Sequence, residues 1–314
     1  MAFLERGLNY EKTRTWKYNS RWLKLERVVK LLQSIGEPHL KYPVIHVAGT
    51  KGKGTTSGAA AHLLTSAGFR TGLMTSPHLV TARERIRIDG RLIAESEFVD
   101  ICESMRPYVE ARRDEEGDAL RAPTYFEMLT ALAFEHFARH EVDWAVVEVG
   151  LGGRLDSTNV VRPSTCTVTT IGMDHMDKLG DTPELIAAEK AGIFKPDASV
   201  LIGRQRYPGA LGVLRDAAAR LDCPTWEVGR ELRVEEKQAL SAPAGDPEAR
   251  VGWNFALRTP THDWEGLYSP MLGEHQLDNL AAAVGSVTLA TEREDAEFDF
   301  DVVPSALADF QVPG

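Results

Sequence analysis

Seven consecutive residues, Gly49-Thr50-Lys51-Gly52-Lys53-Gly54-Thr55, combine three glycines with two lysines. Glycines let successive backbone N–H groups turn inward and close on phosphate oxygens. A helix N-terminus that follows adds partial positive charge. Lys53 is then placed to reach the β- and γ-phosphates of a nucleotide. The segment departs from the general G-x-x-x-x-G-K-[ST] pattern, since Gly54 separates Lys53 from Thr55. A glycine-rich turn with a solvated lysine pair is the alternative, and the surrounding elements decide between the two.

Those elements favour the phosphate loop. An apolar run over 44–48 leads into the glycines, an Ala-rich helix is predicted over 56–67, and a second strand over 71–75. Strand, loop, helix and strand within about 35 residues have the size of a βαβ unit. Before them, Trp22, Leu25, Val28, Leu32 and Ile35 recur at helical spacing, and Gly36 stops the helix. Further helices are predicted over 94–110, 123–140, 183–191, 209–221 and 274–290, and buried strands over 144–149, 166–171 and 199–202. Strongly apolar strands alternating with helices imply an α/β fold with a doubly wound, mostly parallel sheet. Residues 228–257 are polar, with short alternating pieces and a breaker segment at 241–247, and read as a small antiparallel excursion.

Composition narrows the class of function. The formal net charge of −10 is the reverse of a nucleic-acid binder's balance. No apolar run approaches the ~20 residues of a membrane span. The opening residues lack signal-peptide order, and three widely spaced cysteines give neither a disulfide nor a metal framework. A cytoplasmic monomer, without nucleic-acid or membrane partners, is expected.

The variant glycine loop resembles that of the Mur ligase superfamily, and within it most nearly the folylpolyglutamate synthase/dihydrofolate synthase family, whose loop usually reads G-T-N-G-K-G-[ST]. Lys51 replaces the usual Asn. Further stretches match the same family in order: Thr75-Ser76-Pro77-His78-Leu79, Pro123-Thr124-Tyr125-Phe126-Glu127, Glu148-Val149-Gly150-Leu151-Gly152-Gly153-Arg154-Leu155-Asp156-Ser157, Asp174-His175-Met176, Glu189-Lys190-Ala191, and Gly273-Glu274-His275-Gln276-Leu277-Asp278-Asn279. The resemblance covers roughly residues 20 to 285.

It implies a Mur-ligase central-domain fold and an ATP- and Mg²⁺-dependent ligase that joins L-glutamate to folate or dihydropteroate through an acyl phosphate. Thr50, Lys51, Gly52, Lys53, Gly54 and Thr55 then hold ATP, with Asn279 near the adenine. Ser76, Glu148 and His175 are implied metal ligands, and Lys190 is implied to be carbamylated and to help hold a second Mg²⁺. Lys53, Glu148, His175 and Lys190 carry the chemistry. Trp22, Leu23, Thr124, Phe126, Asp156 and Ser157 match the pterin side, where an aromatic ring stacks and a carboxylate accepts N–H groups. Family members continue into a smaller second domain after a Pro-Gly-Arg turn. The expectation is therefore a ligase domain over 1–297, a linker over 298–314, and a C-terminal domain absent, which leaves this stretch unable to form the amide alone. Another Mur-type amide ligase, a kinase sharing the loop, and a non-catalytic nucleotide-binding module are the competing readings.

Overall fold

The computed structural model describes residues 2–5, 7–11, 23–114, 122–241 and 250–312. In chain order they form α1 (Ala2–Glu5), α2 (Leu25–Ser34), β1 (Val44–Ala48), α3 (Lys53–Ser66), β2 (Thr71–Met74), β3 (Ile86–Ile88), β4 (Arg91–Leu92), α4 (Glu95–Asp114), α5 (Tyr125–Arg139), β5 (Trp144–Glu148), β6 (Thr165–Val168), α6 (Met176–Leu179), α7 (Pro183–Ala191), β7 (Ser199–Ile202), α8 (Pro208–Arg220), β8 (Thr225–Glu227), β9 (Arg233–Leu240), β10 (Gly252–Arg258), β11 (Asp263–Ser269), α9 (His275–Arg293) and α10 (Val303–Asp309).

The main sheet runs β4-β3-β2-β5-β1-β6-β7-β8. The six strands from β2 to β8 in that order are parallel, and β3 and β4 add an antiparallel edge. This is the predicted α/β sheet. The edge hairpin goes beyond the expectation, because β3 and β4 are too short to show a period. The antiparallel excursion is also present, as the three-stranded sheet β11-β10-β9. It continues past the predicted limit of 257 to Ser269. Most of its predicted breaker, 242–247, lies outside the described residues.

Side chains of a strand alternate between its two faces. Trp144 and Val146 of β5 pack with α3 and α9, while Ala145 and Val147 pack on the opposite face with α4 and α5. By the same alternation Glu148, the last residue of β5, points to the α3 side. Its strand lies beside β1, with Val47 opposite Glu148, so the carboxylate meets the N-terminus of α3. The chain leaves β1 toward β2 on one side and later returns to β6 on the other. That reversal of direction opens a crevice at the carboxyl ends of the strands, where ligands of such sheets bind.

The stretch expected as a linker carries α10. Val303, Leu307 and Phe310 are buried in the same apolar cluster as α3 and α9. None of the described helices is long and apolar enough to cross a membrane.

Candidate functional site

The glycine loop has the conformation its composition suggests. Gly52 has φ of +89° and caps α3, which begins at Lys53. A side chain at Gly52 would run into Asn279, whose Oδ1 lies 2.2 Å from the place of a Cβ. Asn279 thus comes from α9 to rest against the loop, held by its amide donating to Gln276. Thr50 and Lys51 donate their backbone N–H groups to the carbonyl of Thr170, anchoring the loop to the end of β6. The Lys51 side chain instead leans outward to Asp174 at 3.4 Å. Thr55 lies in the first turn of α3.

Lys53 and Glu148 face each other at 4.0 Å. Glu148 is 4 % exposed, and its second oxygen accepts the backbone N–H of Ser76 at 3.1 Å. Burial pushes its carboxyl up to about 7, against the opposing pull of Lys53 and the Ser76 N–H. Gly54 leaves the carboxylate open from the helix side, since a Cβ there would stand 3.8 Å from it. The structure therefore brings together Lys53, Ser76 and Glu148 from three different elements.

His175 and Lys190 occupy the neighbouring wall. Both line a small cleft of about 70 Å³ with Gly49, Thr50, Lys53 and Asp174. His175 stands in left-handed backbone with φ of +50° and its side chain is 55 % exposed. Lys190 is buried and donates to the Gly49 carbonyl at 2.8 Å. Burial, and then the charge of Lys53, bring the Lys190 amine down to about 7. The sequence marks Asp174 only as a neighbour of His175, yet it reaches both Lys51 and this cleft.

A larger cavity of about 800 Å³ opens from the same place. Lys53, Ser76 and His175 line one part of it, and Leu23, Thr124, Phe126, Asp156 and Ser157 another. Trp22 lies outside the described residues. Gly150 lets the Phe126 ring lie against the chain, since a Cβ there would come within 2.6 Å of the ring. Asp156 is buried and accepts from Leu151 N–H and from both the N–H and hydroxyl of Thr158. Burial still raises its carboxyl above the ordinary range. The Ser157 hydroxyl pairs with Thr130, and Thr124 caps α5 by accepting from Glu127 N–H.

Sequence reasoning missed the supports beneath this cavity. Arg27 of α2 makes a buried ion pair with Glu127, with contacts of 2.7 to 3.1 Å, and Glu127 also accepts the Thr124 N–H. Arg85, almost wholly buried, holds Glu11 through two contacts and His78 through a third. Removing one partner of a buried pair leaves a charge uncompensated and costs about 3–5 kcal/mol. Arg27→Met is expected to lower stability by that order in urea unfolding. Arg27→Met with Glu127→Gln, whose amide oxygen still accepts the Thr124 N–H, should recover most of the loss, and equal losses in the single and double variants would contradict the pairing.

The Mur ligase middle domain family matches residues 47–287. The dihydrofolate synthase/folylpolyglutamate synthase of Bacillus subtilis (strain 168) is 36 % identical over 291 residues, which are 92 % of this chain and 65 % of that protein. The protein of the same name from Mycobacterium tuberculosis is 36 % identical over 302 residues, with 92 % and 60 % covered. A folylpolyglutamate synthase crystal structure from Thermotoga maritima superposes with a TM-score of 0.82 at 32 % identity, covering 99 % of this chain and 65 % of that one. An FPGS–AMPPCP–folate complex superposes at 0.86 with 30 % identity, covering 98 % and 70 %. The chain spans less than two thirds of the length of the two curated relatives.

Proposed function

The chain belongs to the Mur ligase middle domain family and is homologous to folylpolyglutamate and dihydrofolate synthases, and on that premise we propose that it is the ATP-binding part of a ligase joining L-glutamate to folate or dihydropteroate. The observation that carries this reading is the continuity of one cavity. Lys53, Ser76 and His175 lie along the same space as Phe126 and Asp156, so a nucleotide's terminal phosphate and a bicyclic aromatic acid can meet there.

The proposed reaction has two displacements. A substrate carboxylate oxygen attacks the γ-phosphorus, and the bond from that phosphorus to the bridging oxygen breaks to release ADP. The glutamate amine then attacks the acyl carbon, loses a proton, and phosphate leaves with its bond electrons. In both, charge gathers on phosphoryl oxygens, and fixed positive groups aimed there lower the barrier. The α3 N-terminus and Lys53 supply two such groups. Phe126 offers a face for the pterin ring, and the Asp156 carboxylate lines the same cavity.

The donor set fits Mg²⁺. Glu148 is a buried carboxylate that burial holds close to neutrality beside a single lysine, which is the setting a hard cation would complete. Glu148, the Ser76 hydroxyl and His175 would hold it, with Asp174 at hand. When bound, Mg²⁺ neutralises the charge that builds between the phosphates and the attacking carboxylate.

Lys190 is proposed to carry a carbamate. Its buried amine, brought down to about 7, is substantially neutral at physiological pH, and the neutral amine is the form that adds CO₂ with release of a proton. Protein equilibrated with ¹³C-bicarbonate should show one carbamate carbon resonance that Lys190→Met lacks. A spectrum identical in both proteins would count against the modification.

Product analysis on the full protein tests the function. With ATP, Mg²⁺, glutamate and either tetrahydrofolate or dihydropteroate, a ligase forms ADP, free phosphate and an amide in equal amounts. A kinase sharing the loop would instead leave the phosphoryl group on the acceptor. ADP with a stable phosphorylated acceptor would remove the ligase reading, and comparison of the two pterin substrates would fix the range.

A further inference from the structure

A cluster at the opposite rim of the sheet takes no part in the proposed reaction. We propose that Glu97, His136 and His140 form a zinc-type metal site joining α4 to α5. Among the described residues this is the group of His, Cys, Asp and Glu side chains whose ligating atoms all lie within 4.8 Å of one another. His136 and His140 stand four residues apart and therefore share one side of α5 at its C-terminal end. Glu97, in the first turn of α4, reaches both. Its Oε1 is 2.9 Å from His136 Nδ1 and 2.9 Å from His140 Nε2, and its Oε2 is 3.1 Å from the latter. The two imidazole rings are 4.7 Å apart at their centroids.

The geometry and the donor chemistry agree. Ligands of a tetrahedral ion with bonds of about 2.0–2.1 Å stand roughly 3.3 Å apart, so small side-chain rotations convert the present contacts into coordination. Two imidazoles and one carboxylate suit zinc and disfavour Mg²⁺, which prefers oxygen. His140 is partly exposed, which leaves a fourth position for water. The cation would also sit at the negative end of the α5 dipole, since its ligand His140 is the residue that caps that helix. Arg139 and Arg70 are neighbouring positive groups; Asp100 and Glu135 already pair with Arg139, and Arg70 donates to the His140 carbonyl. Burial favours the neutral form of His136, the form that ligates.

The site lies apart from the glycine loop. Arg70, just before β2, donates to the His140 carbonyl, which places the cluster at the amino ends of the strands. The N-terminus of α5, about 20 Å away along a 15-residue helix, carries Thr124 and Phe126 toward the large cavity.

The test is zinc competition between untagged, chelator-stripped protein and a chromophoric chelator, in excess Mg²⁺ to fill the nucleotide-side site. One equivalent of Zn²⁺ should bind with a low-micromolar or tighter Kd and raise the Tm. His140→Ala and Glu97→Gln should each weaken binding tenfold or more and abolish the Tm rise, while His175→Ala should change neither. His140 lies at the surface end of its helix, so its variant keeps the fold, and an unshifted Tm without zinc verifies this. No zinc binding by the parent protein, binding equally tight in His140→Ala and Glu97→Gln, or loss of binding only in His175→Ala would each overturn the assignment.

Discussion

Glu148→Gln is expected to reduce turnover about 10³-fold and, without ligands, to make the fold more stable at neutral pH. The first effect follows from its proposed role as a metal ligand. A cation placed against developing charge supplies several kcal/mol, and about 4 kcal/mol corresponds to three orders of magnitude in rate. The amide keeps the shape of the side chain and loses its charge. The second effect follows from burial. The folded carboxyl is raised from 4.5 to about 7, so the stability that goes with its protonated form is fully present below pH 4.5 and is lost as pH rises through 7. A tenfold change in an acid dissociation constant corresponds to about 1.4 kcal/mol, which sets a ceiling of about 3 kcal/mol on the gain from replacing the carboxyl above pH 7. Urea unfolding of both proteins at pH 5 and pH 8 without Mg²⁺ measures it. The stability difference should move in favour of the variant as pH rises. The apparent Mg²⁺ affinity of the parent should rise over the same interval, because the proton on Glu148 competes with the cation. A variant that loses stability relative to the parent between pH 5 and pH 8 would contradict this account of the site.

Lys53→Ala should lower kcat/KM for ATP by about 10²–10³, the loss commonly seen when one fixed donor to developing charge is removed. Lys53 is the first residue of α3, and it is 19 % exposed at the side chain. Its side chain borders the two clefts of the site, so truncating it widens space that is already open and leaves the fold intact. Its charge also acts on both neighbours: it draws the Glu148 carboxyl down and pushes the Lys190 amine down. The variant should consequently show a higher apparent pKa in the Mg²⁺ dependence, as Glu148 loses its cation. Nucleotide titration and a pH profile of Mg²⁺ activation measure the two effects. Unchanged turnover would remove the phosphate-loop assignment, whatever the profile did.

What could be read from the sequence and what could not separate along physical lines. The unit of β1, loop and α3 was legible because its signals are local: a short run with four apolar residues in five, then glycines where a left-handed φ is needed, then an Ala-rich run. Glu148 was legible because a carboxylate at the end of an apolar strand is conspicuous, and strand alternation fixes the face it takes. Asn279 could be placed from its motif, but its packing against Gly52 depends on how α9 crosses the sheet. Arg27 with Glu127 and Arg85 with Glu11 were invisible, since each partner alone reads as a solvated charge and the pairing spans 100 and 74 residues. Residues 298–314 read as a linker. Only Val303, Leu307 and Phe310 settling under α3 and β11 makes 303–310 part of the core.

In the proposed reaction, phosphate passes to a substrate carboxylate in the cavity beside Lys53 and Glu148 before the amide forms. The direct measurement uses folate or dihydropteroate labelled with ¹⁸O in the reacting carboxylate, with ATP, Mg²⁺ and glutamate, followed by mass analysis of the released phosphate. An acyl phosphate requires one ¹⁸O per turnover to pass from the carboxylate into inorganic phosphate, with loss of that label from the amide product. Turnover that yields amide and phosphate with no ¹⁸O in the phosphate would contradict the account.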